Sequence, residues 1–310
     1  MNNCISVIIC TYNPNLFILV EVIKALELQS LPKDEFEIVI VDNNSTKTFA
    51  LDINIDWNPQ AKIVVEKKEG LNNARIRGVA EAKNELIVFI DDDNIADKYY
   101  LEECSKIAEL YKNVGVFGGI ANPIFFEHHP PNWITNFTGL LGCRNLGQTE
   151  LISEMLDTEL NQYPIFSPIG TGMCIRKEVF MKYITDSEND TFRRNLGRKG
   201  NKLTSGEDND IVLTALKNKW QVGYFPKLII NHWIPNIRTS KSYLAKMNFE
   251  QSKCWTKLLC YNKISPWNNI SKWTVNFRKL KAWFFYKVWE GNVNYIKWRG
   301  ACGTFDGLAK

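Results

Sequence analysis

The chain has 310 residues, 45% hydrophobic and 23% charged, the profile of a globular protein large enough for one big domain with an extension or for two domains. Its eight cysteines include no C-x-x-C pair, and its apolar runs stay below the ~18 residues that a membrane span needs. A cysteine-held metal, a disulfide scaffold and a membrane-spanning helix are thereby excluded. The net charge of +4 hides an asymmetry: from Pro235 onward 14 Lys and Arg face three acids, a net +11, which leaves −7 on residues 1–234. A mildly acidic body with a basic tail implies that the tail meets something anionic. The apolar stretch 5–10 follows no basic residue and is too short for a secretory signal, so a reduced, cytoplasmic protein is expected, one with scope for peripheral contact at the inner membrane face.

Residues 4–11, CISVIICT, are a continuous β-branched run and predict a strand buried on both faces. Asn13-Pro14 ends it, and residues 16–29 have helical spacing. Strands are predicted next at 36–42 (FEIVIVD) and 61–66 (AKIVVE), then a helix at 70–83, a strand at 85–91 (ELIVFID), a helix at 98–112 and a strand at 114–120. Such alternation implies right-handed crossovers and a mostly parallel sheet. Regularity fades from 122 to about 168; residues 171–183 then predict a strand and a helix. A further helix starts near Glu207, and 220–233 reads as a strand pair. Two parts are expected: a domain over 1–234 and a basic, aromatic, mainly helical extension over 235–310.

In an open parallel sheet, ligands bind beyond the carboxyl ends of the strands. Polar residues stand at those ends here: Thr11, Tyr12 and Asn13, then Asp42 to Thr46, then Asp91 to Asn94. No G-x-G-x-x-G follows the first strand and no Walker A sequence occurs, which sets aside the usual dinucleotide and P-loop sites. Asp91, Asp92 and Asp93 repel one another at the end of a core strand. A hard divalent cation relieves that repulsion and keeps positions for water or substrate phosphate. Helix capping is the plainer use, but it needs only one Asp.

Six segments, SVIICTYNP, EIVIVDNNS, GLNNARIRG, FIDDDN, GTGMCIRKEVF and SGEDNDIVL, in this order resemble glycosyltransferase family 2, inverting enzymes with the GT-A fold. The resemblance covers about residues 4–235 and runs weakly into HWIPNIRTSKSYL, and it is nearest to bacterial enzymes that build surface polysaccharides. It implies a Rossmann-like α/β nucleotide-diphospho-sugar transferase fold. Asp91 and Asp93 then match the family's D-x-D, which holds Mg²⁺ or Mn²⁺ against the donor diphosphate, and Asp92 matches a ribose or sugar contact. Thr11 and Tyr12 match residues that line the base, with Asn13 beside them; Asp42 matches a carboxylate that favours uracil, and Arg75 a basic residue on the nucleotide side. Asp208 matches the general base that direct displacement requires, with Glu207 positioning acceptor or base. Gly170 and Gly172 let backbone approach sugar and acceptor, and His232 matches a third metal ligand of some GT-A enzymes.

Local chemistry also allows plainer roles. Tyr12 can be a core aromatic, Arg75 half of a surface ion pair, Ser205 with Asp208 a capping box, GTG a turn and His232 a structural residue. Arg193, Arg194, Arg198, Lys199 and Lys202 form an acid-free basic loop, either solvated or closing as a lid over a diphosphate. In the tail, Trp273, Phe277, Leu280, Phe284 and Val288 share one helical stripe flanked by Lys281 and Lys287. That stripe suits either an interfacial membrane helix or a helix packed on the catalytic domain. Basic residues interleaved with aromatics also occur in nucleic-acid binders, but no recognised nucleic-acid motif is present.

The expected activity is metal-dependent transfer from a UDP-sugar to a hydroxyl of a lipid-linked saccharide. A polyprenyl-phosphate glycosyltransferase and a non-catalytic nucleotide-sugar or glycan-binding protein are the alternatives.

Overall fold

The β-branched runs pair as the alternation predicts. In the computed structural model, which describes residues 4–125, 129–155, 162–200 and 203–310, β1 (Ile5–Thr11), β2 (Phe36–Asp42), β3 (Lys62–Val65) and β4 (Leu86–Asp91) are mutually parallel neighbours in the order β3-β2-β1-β4. Alternate residues of each strand enter opposite cores, as a period of two requires. Ile5, Val7 and Ile9 of β1 join one apolar cluster, and Ile8 joins the other. Helices α1 (Leu16–Glu27) and α3 (Tyr100–Leu110) cover the first face through Leu19, Val22, Leu101 and Cys104. Helices α2 (Leu71–Glu81), α4 (Lys177–Ser187) and α6 (Glu207–Lys217) cover the second through Ala74, Val79, Phe180 and Ile211.

Beyond β4 the sheet is mixed rather than mostly parallel. The strands β5 (Asn94–Ala96), β6 (Val114–Ile124), β7 (Leu151–Ile152), β8 (Cys174–Arg176) and β9 (Gln221–Trp233) complete it. β8 runs antiparallel to both β4 and β6, β9 runs parallel to β6, and β5 and β7 pair antiparallel with β9. The stretch expected to be a strand pair is the single bent strand β9. Its register against β6 jumps between Gly118 and Ile120, so residues 225–228 bulge past Gly119. A Cβ on Gly119 would lie 2.2 Å from Leu228 O, so only glycine admits the bulge.

The extension is helical and belongs to the same body. Helix α7 (Lys241–Tyr261) buries Leu244 and Ala245 against Ile134, Phe137 and Leu141, and Leu258 against Leu196 and Leu213. Helix α8 (Val275–Phe285) lies on α9 (Asn292–Leu308), held by a Lys279–Asp306 ion pair at 2.6 Å and by Trp298 Nε1 donating to Lys279 O at 3.0 Å. Val288, expected to continue the α8 stripe, falls beyond the helix because Lys287 turns left-handed at φ 46°. Among the described residues no helix is long and apolar enough to cross a membrane.

Part of the basic loop has a structural task instead of a phosphate to cover. The short helix α5 (Thr191–Arg194) presents Arg193 to Asp210 of α6, with Nε donating to Oδ2 at 2.7 Å and Nη2 donating to Thr214 Oγ1 at 2.7 Å. Both side chains are buried. Arg193→Ala strands the Asp210 carboxylate, so chemical unfolding should show a loss of about 3–5 kcal/mol, the usual penalty for breaking a buried pair. The affinity for UDP in the same variant should stay native. Arg198 does reach the ligand cavity described next, whereas Lys202 lies outside the described residues.

Candidate active site

The parallel strands deliver their polar ends to one edge, and α6 brings its N-terminus to the same place. The result is a cavity of about 810 Å³. Thr11, Tyr12, Arg75, Asp91, Asp92, Asp93, Gly170, Glu207, Asp208 and His232 all line it. The other three predicted residues do not. Asn13, at φ 49°, spends its side chain on the neighbouring loop, accepting from Thr46 N–H at 2.8 Å. Asp42 Oδ1 accepts from Ser45 N–H at 2.9 Å, which shapes the turn after β2. Gly172, at φ 67°, faces inward, where an added Cβ would meet Tyr100 Oη at 2.6 Å and Ile230 Cγ1 at 2.7 Å.

The pairing of β5 with β9 decides the surroundings of the aspartates. Asn94 stands opposite His232, which sets His232 Nε2 3.3 Å from Asp93 Oδ1. Arg238, on the short 3₁₀ turn after β9, donates from Nη1 to Asp93 Oδ2 at 3.0 Å. Burial pushes Asp93 upward, but the His232 ring and Arg238 outweigh it and hold the carboxyl well below its usual range. Burial pulls His232 down, yet the Asp93 carboxylate outweighs it and lifts the ring to about 10. Asp91 lies above its ordinary value because of burial, against the pull of Arg75. Asp92 rises to about 7 through burial and the Asp93 charge, even though it accepts a hydrogen bond from Thr11 Oγ1.

On the opposite wall, the capping-box reading of SGEDND gives way. Helix α6 is capped by Gly206 at φ 111° with no side-chain cap bond. Asp208 is turned outward instead: Oδ2 accepts from Gly170 N–H at 3.1 Å and Oδ1 from its neighbour Asn209 N–H at 2.9 Å. The reason is steric economy at residue 206, where glycine adopts the left-handed turn freely and Ser205 is displaced from the cap. Glu207 sits 3.5 Å from Arg75 Nη1, and both side chains are buried. Arg75 therefore pairs with a buried acid, not a surface one, and also lies over the Phe89 ring at 5.1 Å. Burial pushes Glu207 up to about 7, with Asp208 adding to the rise and Arg75 opposing it. Its Oε2 is buried with no hydrogen-bond partner among the described residues.

Several lining residues escaped the sequence. Asn43 ties the loop after β2 to the loop between β3 and α2, donating from Nδ2 to Glu66 O and Lys68 O and accepting Gly70 N–H at 2.7 Å. Arg238 carried only the weak signal of HWIPNIRTSKSYL. Asn248, Gln251, Ser252 and Trp255 reach the cavity from α7, which thus packs on the catalytic body, one of the two placements the sequence allows for the extension. Their spacing, i, i+3, i+4 and i+7, is one helical face, but it is mixed polar and aromatic and so resembles any solvated surface.

The arrangement also bears on a cation. A Mg²⁺-sized ion with ligands at ~2.1 Å and right angles keeps neighbouring donors about 3 Å apart, and Asp93 Oδ1 and His232 Nε2 have that separation. Among the described residues no three His, Cys, Asp or Glu side chains close into a metal cage.

Among the described residues, a nine-stranded α/β sheet with a carboxylate-rich cavity at its carboxyl edge is the arrangement expected of the GT-A fold that the six segments imply. The family model for glycosyl transferase family 2 matches residues 6–184. A glucosyl-dolichyl phosphate glucuronosyltransferase of Haloferax volcanii is 22% identical over 252 residues, covering 80% of this chain and 74% of that protein. An N-acetylglucosaminyltransferase of Azorhizobium caulinodans is 22% identical over 246 residues, 75% of this chain and 55% of the other. Among solved structures, S. aureus TarS 1–349 in complex with UDP superposes with a TM-score of 0.52 over 97% of this chain and 89% of that one, at 15% identity, a likeness of fold. The chain belongs to glycosyltransferase family 2, and it is a glycosyltransferase.

Proposed function

We propose that this glycosyltransferase moves a sugar from a UDP-linked donor, with inversion and with a divalent metal, onto a hydroxyl of a lipid-linked saccharide in bacterial surface-polysaccharide synthesis. The observation that carries the reading is the convergence of Asp91, Asp92 and Asp93 with Asp208 on one cavity large enough for a nucleotide sugar, although they lie far apart in sequence.

In this reading Thr11 and Tyr12 bind the nucleoside, Tyr12 through its half-exposed ring. Asp91 and Asp93 would hold Mg²⁺ or Mn²⁺, with His232 as a further ligand. When bound there, the ion supplies Lewis acidity to the departing diphosphate. Arg198 and Arg238 line the same cavity and add positive charge for that leaving group. Asp208 takes the proton of the acceptor hydroxyl as the new bond forms, while Gly170 N–H fixes its second oxygen. Glu207, anchored by Arg75, holds the acid-rich start of α6 in place beside Asp208. The face of α7 with Asn248, Gln251 and Trp255 combines amides with an aromatic ring, a chemistry that suits a saccharide acceptor.

A lipid-linked acceptor is supported by the relative named for glucosyl-dolichyl phosphate. It would place the enzyme at the cytoplasmic face of the membrane, with part of residues 235–310 in contact with it.

The test is nucleotide release from UDP-, GDP- and dTDP-sugars with Mn²⁺, Mg²⁺ or a chelator. UDP release stimulated at least tenfold by metal is expected, on the scale of a missing electrostatic catalyst. Equal background release from all donors, with or without metal, overturns the reading.

A further inference from the structure

Helix α8 is amphipathic in an unusual sense, since its apolar stripe points away from the protein. Val275 and Ala282 face α9 and are buried, while Trp273, Phe277, Phe284 and Phe285 are 95%, 70%, 58% and 78% exposed. At 100° per residue, Phe277, Leu280 and Phe284 fall within about one quarter of the helix circumference, opposite Val275 and Ala282, and Trp273 stands on the 3₁₀ turn that leads into the helix. Trp289 extends the patch on the next turn and is 58% exposed. Single exposed hydrophobic residues are ordinary, but a run of large ones on one helix marks an interaction surface.

Charge selects the partner. Exposed Lys272, Arg278, Lys281 and Lys287 border the stripe, and no Asp or Glu occurs between Glu250 and Glu290. A second copy of this chain would set like charges against one another. A surface that is apolar inside and anionic outside satisfies both halves of the pattern. The helix is also firmly mounted, by the Lys279–Asp306 pair and by the Ile270–Ala309 bridge. A groove of about 370 Å³ between α8 and α9, lined by Leu280, Trp283, Trp298 and Lys279, gives an acyl chain apolar room beside the stripe.

We propose that the outward face of α8 docks on an anionic phospholipid surface, with the aromatic stripe in the interface and the four cations at the headgroups. The docking element is thus α8 and the turn after it, not the whole extension, because α7 is occupied with the catalytic body. The inference rests on the proposed lipid-linked acceptor for its purpose, and its residues lie outside the catalytic cavity. Since α8 packs on α9, and α9 on the α7 that walls the cavity, docking fixes the active site relative to the bilayer.

Vesicle co-sedimentation tests it, with phosphatidylcholine alone or mixed with phosphatidylglycerol, at low and high salt. Wild-type protein should pellet with the anionic vesicles at low salt, at least about tenfold more than with neutral ones, because each basic side chain near an anionic leaflet is worth roughly fivefold in partition. The variants W273S/F277S/F284S and K272E/K281E should each lose at least about tenfold of that binding. Both should keep native thermal unfolding and native UDP release, since the altered side chains are exposed and remote from the cavity. Wild-type protein left in the supernatant with both vesicles overturns the proposal, and so does a triple-serine variant that pellets like wild type. A dimer in vesicle-free size-exclusion runs that the triple-serine variant abolishes also overturns it, assigning the face to a second copy. Normal pelleting without UDP release would sink the proposed activity and leave the docking surface standing.

Discussion

Asp208→Asn lowers kcat by at least about 10²-fold and leaves the affinity for UDP near native. The amide is isosteric with the carboxylate, so its oxygen still accepts Gly170 N–H, at the loss only of the bond from Asn209 N–H beside it. What it cannot do is take a proton, and loss of a positioned general base has effects of ~10²–10⁴-fold. The carboxylate is at the mouth of α6 with Glu207 beside it, both lining the cavity. Steady-state kinetics with calorimetry of UDP binding separate the two quantities. A kcat within a few-fold of wild type would reduce Asp208 to a bracket for the Gly170 loop. A lost UDP affinity would move it to the donor side.

Asp93→Ala abolishes turnover, with kcat/KM falling by ~10³-fold or more, and it removes the metal-dependent part of UDP binding. Two effects follow, and they oppose one another in UDP binding. The variant lacks one of the oxygen ligands assigned to the cation, and it frees His232 and Arg238, which now share Asp93 at 3.3 and 3.0 Å. The two residues can then meet the diphosphate directly, so some metal-independent UDP affinity is expected to persist. Calorimetry with and without Mn²⁺ is the measurement. An undiminished Mn²⁺-dependent gain in affinity rules out the ligand assignment.

The first half of the sheet was legible because its signal is local. Runs such as CISVIICT and FEIVIVD are apolar on both sides of the strand, a pattern that only a twice-covered parallel strand satisfies. The second half was read less well. Strands β5 and β7 have three and two residues, too short for periodicity to register, and β9 hides its continuity behind Pro226 and a bulge. The extension kept its two roles undivided for a different reason. Its tryptophans and lysines look uniform in composition, yet α7 is a wall of the cavity and α8 is a free surface.

The sequence by itself determined the chemistry available: three adjacent aspartates at a strand end, an acidic start to α6 and a basic, aromatic tail. Residue type and spacing along the chain are enough for that, because each feature lies within a few residues. Which of those groups share a cavity was decided only by tertiary structure. Asp93 meets His232 through the β5–β9 ladder and Arg238 through the turn that follows it, and neither pairing has a local trace. Asn13, Asp42 and Gly172 stand at the right strand ends or in the right loop, but packing gives them other partners. The surroundings then set the charges: His232 and Arg238 hold Asp93 low against its burial, while burial lifts Asp92 and Glu207 to about 7. A carboxylate's proton affinity depends on what surrounds it in space, and that is information the order of residues does not contain.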